Sequence, residues 1–226
     1  MIPNLSIAEE NYIKIIYHLQ NDDDNVTTNE VAAVINTTAA SVTDMLKKLK
    51  KKNILNYEKY KGFQLSTEGK KIALSIIRKH RLWEYFLVEK LQFGWDEVHA
   101  VAEELEHVSS KKLIDNLETF LGYPKFDPHG DPIPDIHGKM PSQTQINLQS
   151  LPQKTIATIT SVGNQSTELL ELLTHKKLGI GTVIEVKKKF QFDQSIEVKI
   201  NNKAIVHISN ELAQSLFVST KNNTSF

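Results

Sequence analysis

The sequence predicts a mainly α-helical protein with a winged helix-turn-helix domain at its N-terminus, a helical domain after it and a small β-rich domain at its end. Three observations predict this fold class. Apolar residues recur at helical spacing through much of residues 6–121, a basic hairpin-like segment at 54–65 interrupts them, and β-forming runs follow Pro152. Proline and glycine crowd residues 122–141, which predicts a loop and then a linker between the helical and β-rich parts.

The N-terminal helices can be read one by one. Residues 6–20 carry apolar residues at helical spacing and predict the first helix. The spacing of Thr27 and Glu30 is that of a capping box, which starts a second, short helix. A third helix directs apolar residues inward at i, i+3, i+4 and i+7, from Val42 to Leu49. Two short helices joined by a tight turn form a helix-turn-helix.

The remaining elements follow from turns and caps. Gly62 can adopt the positive φ of a hairpin turn, so residues 54–65 are predicted to form a wing. Ser66 and Thr67 offer an N-cap for a long helix that runs to Leu91, and another helix is predicted from Asp96 to about Leu121. The C-terminal β-rich runs are 155–162, 183–190, 195–200 and 204–208, with a short helix near 168–173.

Composition excludes several classes of protein. The 226 residues contain no cysteine, which rules out disulfide scaffolds, thiolate nucleophiles and Fe–S clusters and leaves nitrogen and oxygen as metal ligands. No apolar run approaches the ~20 residues that span a bilayer. The early Glu9 and Glu10 do not fit a signal peptide, so we expect a cytosolic protein.

The balanced total charge of 27 basic and 27 acidic residues conceals a division along the chain. The net charge is −4 over residues 1–26, +7 over 27–79, −6 over 80–140 and +3 over 141–226. A basic block followed by an acidic, histidine-rich block predicts two functions, the binding of a polyanion and the binding of a cation.

The basic block is predicted to bind DNA. A lysine run alone more often marks a solvated helix face. The order of helix, turn, helix and basic wing favours DNA, because such a second helix enters the major groove with its N-terminal side chains on base edges and its lysines near phosphates. The predicted DNA-contacting residues are Thr38, Ser41, Thr43, Asp44, Lys47, Lys48 and Lys51 on the helix, with Lys59 and Lys61 on the wing.

The acidic block is predicted to bind a metal ion. At about 100° per residue, positions 99, 103, 106 and 107 share one face of a helix, and positions 80 and 84 form a second pair one turn apart. Any single histidine is more often a packed or solvated residue. Two helix faces that both carry acidic side chains and histidines are harder to explain in this way, because without a cation their charges would repel one another. Imidazoles and carboxylates suit Mn²⁺, Fe²⁺, Co²⁺ or Zn²⁺. The candidate ligands are His80, Glu84, His99, Glu103, Glu106 and His107.

The same ligand types occur in metal-dependent oxidases and hydrolases. Four-helix di-iron proteins use two Glu-x-x-His motifs. This chain has one, Glu104 to His107, which disfavours an oxidase. A third hypothesis is a constitutive DNA-binding protein whose histidine and glutamate stripes are structural.

Four segments together resemble a known family, namely residues 65–70, 78–84, 98–107 and 128–134. They closely resemble the diphtheria-toxin-repressor family of metal-dependent regulators, which includes manganese-transport regulators. The resemblance implies a non-enzymatic homodimer that binds operator DNA when loaded with a divalent metal and represses genes for manganese or iron uptake. It implies no membrane partner and no small organic substrate. Long members of the family end in an SH3-like β-barrel, which residues 152–218 resemble.

The resemblance also assigns domains and ligands. Residues 1–73 would form the winged helix-turn-helix domain, 74–140 the metal-binding and dimerisation domain, 141–151 a linker, 152–218 the SH3-like domain and 219–226 a tail. A primary metal site would use Asn11, Glu103, Glu106 and His107. An ancillary site would use His80, Glu84 and His99, with Gln165 and Glu168 from the SH3-like domain.

Four positions depart from relatives in an informative way. Iron-sensing members carry Met and Cys where this chain has Asn11 and Glu103, and manganese-sensing members carry an acid at the first of these positions. Short manganese regulators have a second acid where Lys14 stands, which argues against their binuclear site. Ala40 replaces a proline that contacts DNA in the family. The oxygen-rich ligand set favours Mn²⁺, with Fe²⁺ as the alternative.

Overall fold

The computed structural model describes residues 4–20, 25–58, 62–108, 110–163 and 165–220. The chain divides into two compact units. The first unit comprises residues 1–80, 103–114 and 134–140, and the second comprises 81–102, 115–133 and 141–226. Within the described ranges, no helix combines the length and the hydropathy that a membrane span requires.

The first unit contains the predicted helix-turn-helix. Its helices are α1 (Ile7–Leu19), α2 (Thr28–Ile35) and α3 (Ala39–Lys51). The capping box predicted at the start of α2 is present, since the Thr27 hydroxyl accepts from the backbone N–H of Glu30 and the Glu30 carboxylate accepts from that of Thr27. Side chains from α1 and α3 form a common core with the wing, including Ile13, Ile16 and Leu46, which are fully buried.

The wing is an antiparallel hairpin of β1 (Leu55–Glu58) and β2 (Gly62–Leu65). Its turn, which includes Lys59 and Lys61, lies outside the described residues. Gly62 has a φ of +113°, and a Cβ on this residue would lie 2.5 Å from the carbonyl oxygen of Val26. Glycine is therefore required both for the backbone conformation and for the close approach of the segment before α2.

The predicted helix from Asp96 to Leu121 is wrong in one respect, because the segment forms two helices. After α4 (Thr67–Leu91), α5 spans Val98–Leu105 and α6 spans Lys111–Phe120. The Ser110 hydroxyl accepts a hydrogen bond from the backbone N–H of Leu113. This local side-chain bond favours the start of a new helix at this point of the chain. Residues 106 and 107 lie in the turn that follows α5 and are therefore not on a face of that helix.

The second unit contains one antiparallel sheet. Its strands are β3 (Ile146–Asn147), β4 (Ile156–Val162), β5 (Val183–Lys189), β6 (Ile196–Ile200), β7 (Ala204–Ile208) and β8 (Leu216–Ser219), in the order β3-β8-β4-β5-β6-β7. The described strands leave this sheet open, with β3 and β7 at its edges, so the predicted barrel is not closed. Two helices accompany the sheet, α7 (Thr167–Lys176) and α8 (Asn210–Gln214). Alternating side chains of β4, β5 and β6 fill its core.

Candidate metal centres and DNA-binding surface

The first unit contains a compact cluster of charged side chains, which we call the primary cluster. Its centre is Glu106, whose side chain is fully buried. The His80 Nδ1 lies 2.6 Å from one Glu106 oxygen, and the Lys14 ammonium lies 2.7 Å from the other. Lys14 also lies 3.4 Å from Glu103. The cluster is completed by a 2.6 Å contact between the His107 Nδ1 and Glu10.

Electrostatics keep the centre of this cluster anionic. Burial alone would raise the pKa of Glu106, but the hydrogen bonds from His80 and Lys14 outweigh it and hold the pKa below the ordinary glutamate value. The His107 Nε2 is 3.8 Å from the same carboxylate, which is too long for a hydrogen bond. A buried carboxylate that stays ionised and has two imidazoles nearby offers oxygen and nitrogen ligands to a metal ion.

Three of the four predicted primary ligands lie in this cluster, and the structure adds others. Glu103, Glu106 and His107 share it, although the last two lie beyond the end of α5 and the predicted single helical stripe is therefore wrong. Asn11 is half-buried on α1, next to Glu10, whose carboxylate contacts His107. The sequence reasoning missed Glu10. The one-turn spacing of positions 10 and 14 on α1 was the available signal.

The predicted ancillary residues do not all share the same neighbours. His80 lies one turn before Glu84 on α4 and belongs to the primary cluster. In the second unit, the His99 Nδ1 lies 3.1 Å from Glu84. Gln165 donates to Asp131 at 3.1 Å, and Glu168 is exposed in the first turn of α7.

A second buried group, which we call the loop cluster, consists of Glu84, Asp127 and His129 in the second unit. One potential ligand atom of each lies within 4.8 Å of the others. Burial and the nearby Glu84 and Asp131 carboxylates raise the pKa of Asp127 to about 7. Sequence analysis did not place Asp127 or His129 among the metal ligands, because they lie in a proline- and glycine-rich loop and not on one face of a helix.

The candidate DNA surface is the exposed face of α3. The Thr38 hydroxyl caps the helix by accepting from the backbone N–H of Ser41, which fixes the position where base-contacting side chains begin. Thr43 is half-buried, and its hydroxyl donates to a backbone carbonyl of the previous turn. Asp44 forms an ion pair with Lys47 at 3.2 Å. The remaining predicted residues on α3 are exposed, namely Ala40, Ser41, Lys48 and Lys51.

Family comparisons match all three parts of the chain. Residues 4–63 match the "Iron dependent repressor, N-terminal DNA binding domain", and residues 66–135 match the "Iron dependent repressor, metal binding and dimerisation domain". Residues 146–220 match the FeoA domain, which agrees with the SH3-like character of the second unit's sheet.

Individual relatives agree with these matches. The chain is 36% identical over 118 residues to the "HTH-type transcriptional regulator MntR" of Oceanobacillus iheyensis, covering 52% of this chain and 80% of that protein. It is 30% identical over 127 residues to the "Iron-dependent repressor IdeR" of Mycobacterium leprae, covering 56% of this chain and about half of the relative, 55%.

A solved structure extends the similarity to almost the whole fold. A "Manganese-dependent transcriptional repressor complex with manganese" has a TM-score of 0.85 at 30% identity, covering 94% of this chain and 99% of that one. Taken with the helix-turn-helix, the primary cluster and the FeoA-like sheet, these matches show that the chain belongs to the diphtheria-toxin-repressor family of metal-dependent transcriptional repressors, which are not enzymes.

Proposed function

We propose that this protein is a manganese(II)-dependent transcriptional repressor that binds operator DNA as a homodimer and controls genes for metal-ion uptake. The observation that carries the proposal is the primary cluster. It joins α1, through Glu10, to the segment after α5 that carries Glu106 and His107, in the same unit as α3 and the wing. A change in the charge of this cluster therefore acts on the unit that would contact DNA.

The donors of the primary cluster fit a hard divalent ion. Glu103, Glu106 and His107 would hold it with carboxylate oxygens and an imidazole nitrogen, and Glu10 or Asn11 would add oxygen donors from α1. Carboxylate-rich sites suit Mn²⁺, and the sequence contains no cysteine that would favour a softer metal. The bound ion would supply positive charge that holds these acidic side chains together. Iron(II) in the same site is the alternative within the family.

The second predicted site remains a proposal. Glu84 and His99, which are in contact, would form its centre. His80 would contribute from the adjacent turn of α4, and Gln165 and Glu168 would complete the predicted set.

Operator recognition would use the exposed start of α3, with its lysines on phosphates. Two recognition helices of a dimer would reach half-sites about one DNA turn apart. A protein with no net charge has weak non-specific affinity for DNA, because that affinity comes mainly from phosphate neutralisation. A weak non-specific affinity suits a regulator that binds its operator only when metal fixes the arrangement of its DNA-binding helices. Because a repressor acts where the chromosome is, we propose a cytosolic location.

The central test is fluorescence anisotropy on a palindromic operator with and without Mn²⁺. We expect Mn²⁺ to tighten binding by at least ~10-fold, which is within the usual range of a coupling between two sites. The Glu106→Gln variant, which keeps the side-chain shape but removes the buried charge, should bind the operator with the same affinity in both conditions. Equal affinity of the unmodified protein with and without Mn²⁺ would reject the proposal.

The proposed DNA surface can be tested separately. Replacing Lys48, an exposed residue of α3, with Gln should weaken operator binding about equally for matched and mismatched operators and lower the salt dependence by roughly one ion. Lys203→Gln, at an exposed position in the second unit, is the matched control and should change neither quantity. A Lys48→Gln variant with the salt dependence of the unmodified protein would place the DNA surface elsewhere.

One observation supports a second candidate function, that of a constitutive DNA-binding protein. Lys14 already supplies a positive charge to Glu106 at 2.7 Å, as a structural ion pair would. On this hypothesis Mn²⁺ would leave both operator affinity and thermal stability unchanged, whereas a ligand that binds only the folded state must raise stability. The anisotropy experiment and a melting curve with Mn²⁺ separate the two functions.

A further inference from the structure

A partly buried ion pair joins the first helix to the end of α3, the proposed recognition helix. The Lys52 ammonium lies 2.7 Å from one carboxylate oxygen of Glu9 and 2.8 Å from the other. The Glu9 side chain is 9% exposed and that of Lys52 is 32% exposed, so water screens this pair less than it screens a surface ion pair. Its two residues are 43 positions apart, so the pair forms only when the first unit folds.

Both partners lie at helix ends whose backbone is held by hydrogen bonds. Glu9 belongs to the capping box of α1, and its carboxylate also accepts from the backbone N–H of Ser6 at 2.8 Å. Lys52 is the C-cap of α3, where its backbone N–H donates to carbonyls of the last turn. The Lys52 ammonium donates in addition to the carbonyl of Asn4, just before α1, at 2.9 Å. The last turn of α3 is thereby held to the first turn of α1.

The first helix contacts the primary cluster with a different face. Glu10 contacts His107, and Lys14 contacts Glu106. At about 100° per residue, positions 10 and 14 of a helix point about 40° apart, whereas Glu9 points about 100° away from Glu10. One face of α1 therefore contacts the primary cluster, and another is paired with the end of α3.

The last turn of α3 also carries predicted phosphate contacts. Lys48 and Lys51 are exposed there, and Lys51 immediately precedes Lys52 in the chain. The attraction between an ammonium group and a phosphate weakens as their separation grows. The position of this turn therefore sets how well both lysines can contact the DNA backbone.

We propose that Glu9 and Lys52 are positioning residues that transmit the metal-bound state of α1 to the DNA-contacting end of α3. The inference rests on the proposed function, because it requires metal at the primary cluster and DNA on α3. When α1 is fixed at the primary cluster through Glu10, Glu9 is fixed with it, since both belong to one helical turn. The ion pair then fixes Lys52 and the turn that it ends. Neither residue belongs to the proposed ligands or to the proposed DNA contacts.

The ion pair acts on the coupling between the two binding events. Lys52 lies outside the primary cluster, so its loss leaves the affinity of the DNA-free protein for Mn²⁺ unchanged. What changes is the factor by which Mn²⁺ tightens operator binding, and by linkage the operator tightens Mn²⁺ binding by the same factor. An ion pair with a structural role alone would change the stability of the protein and leave this factor as it is.

The experiment measures operator affinity by fluorescence anisotropy with and without Mn²⁺, and compares the ratio of the two dissociation constants among variants. Glu9→Gln keeps an acceptor for the Ser6 N–H, and Lys52→Met keeps most of the side-chain volume. We expect the ratio to fall about 5-fold in each. The two substitutions change the net charge in opposite directions, so a general effect on attraction to phosphates would differ in sign between them. The double variant should have the ratio of either single variant, because all three remove one interaction.

Two further variants serve as controls. Lys52→Arg keeps the positive charge and should retain the ratio of the unmodified protein. Lys71 forms an ion pair with Glu68 at 3.7 Å within α4, in the same unit, and Lys71→Met should also retain the ratio. If either Glu9→Gln or Lys52→Met keeps the ratio of the unmodified protein, the proposal is overturned, since both substitutions remove the same contact.

Hydrogen exchange without DNA tests the same ion pair independently of the operator. Mn²⁺ should slow amide exchange in the last turn of α3 in the unmodified protein, but not in Glu9→Gln or Lys52→Met, although both variants bind Mn²⁺. Slowing that persists in these variants would reject the ion pair as the connection between α1 and α3. If Mn²⁺ leaves the operator affinity of the unmodified protein unchanged, the proposed function fails, whereas the exchange result still decides whether the ion pair connects the two helices.

Discussion

The Lys14→Met variant is expected to bind Mn²⁺ at the primary cluster about 100-fold more tightly than the unmodified protein. The Lys14 ammonium lies 2.7 Å from Glu106 and is only 13% exposed, so it repels a divalent ion that would use the same carboxylate. Unit charges about 4 Å apart interact by about 4 kcal/mol at the effective dielectric constant near a protein surface, and a 100-fold change corresponds to about 2.7 kcal/mol. Methionine preserves most of the side-chain volume. Isothermal titration calorimetry with Mn²⁺ measures the change.

The chain offers a matched control for this substitution. Lys52 forms a comparable ion pair with Glu9 at 2.7 Å, also in the first unit, but outside the primary cluster. Lys52→Met should leave the affinity for Mn²⁺ unchanged. Weaker Mn²⁺ binding by Lys14→Met would show that the ammonium positions the carboxylates for the ion and does not compete with it. Equal binding would show that the ion does not use Glu106.

Gly130→Ala is expected to lower the melting temperature by about 10 °C. The residue has a φ of +87°, and a Cβ there would lie 1.9 Å from the carbonyl oxygen of Thr160 and 2.7 Å from the Cα of Ser161. Both neighbours are backbone atoms of β4, so they cannot rotate away. Overpacking of this kind costs about 3 kcal/mol, and in a protein of this size each kcal/mol lowers the melting temperature by about 2–4 °C. Differential scanning calorimetry measures the shift.

Gly122→Ala isolates the steric part of that effect. Gly122 also has a positive φ, +75°, but a Cβ there would meet nothing within 4 Å. We expect this variant to lose about 1 kcal/mol of folding stability, which is the cost of a positive φ for a residue with a Cβ. Similar losses for the two variants would show that the loop yields to the added methyl group and that its contact with β4 is loose.

Local signals predicted the helical elements well, for reasons visible in single residues. The Thr27 and Glu30 pair starts α2 because both orphan donors are satisfied within four residues of chain. Gly62 marks the wing because its backbone conformation is a property of the residue itself. The short strand β8 and the short helix α8 were not predicted from the sequence.

The metal ligands were predicted less completely. A single helix was assumed from 96 to 121, so Glu106 and His107 were placed on a helical face, whereas they occupy the turn after α5. Glu10 was overlooked because its partner, His107, is 97 residues away. The spacing of residues within one helix or strand cannot predict a contact between residues so far apart in the sequence.

The sequence by itself determined the class of protein: a helix-turn-helix with a wing, a basic block before an acidic one, and a supply of carboxylates and imidazoles without a cysteine. These are properties of residue type and local spacing. Only the tertiary structure decided which charges meet. It brought Lys14 onto Glu106 and grouped the buried side chains of Asp127 and His129 with Glu84. The reason is that the energy of a charge depends on its burial and on its nearest partners, and both are set by contacts between distant parts of the chain.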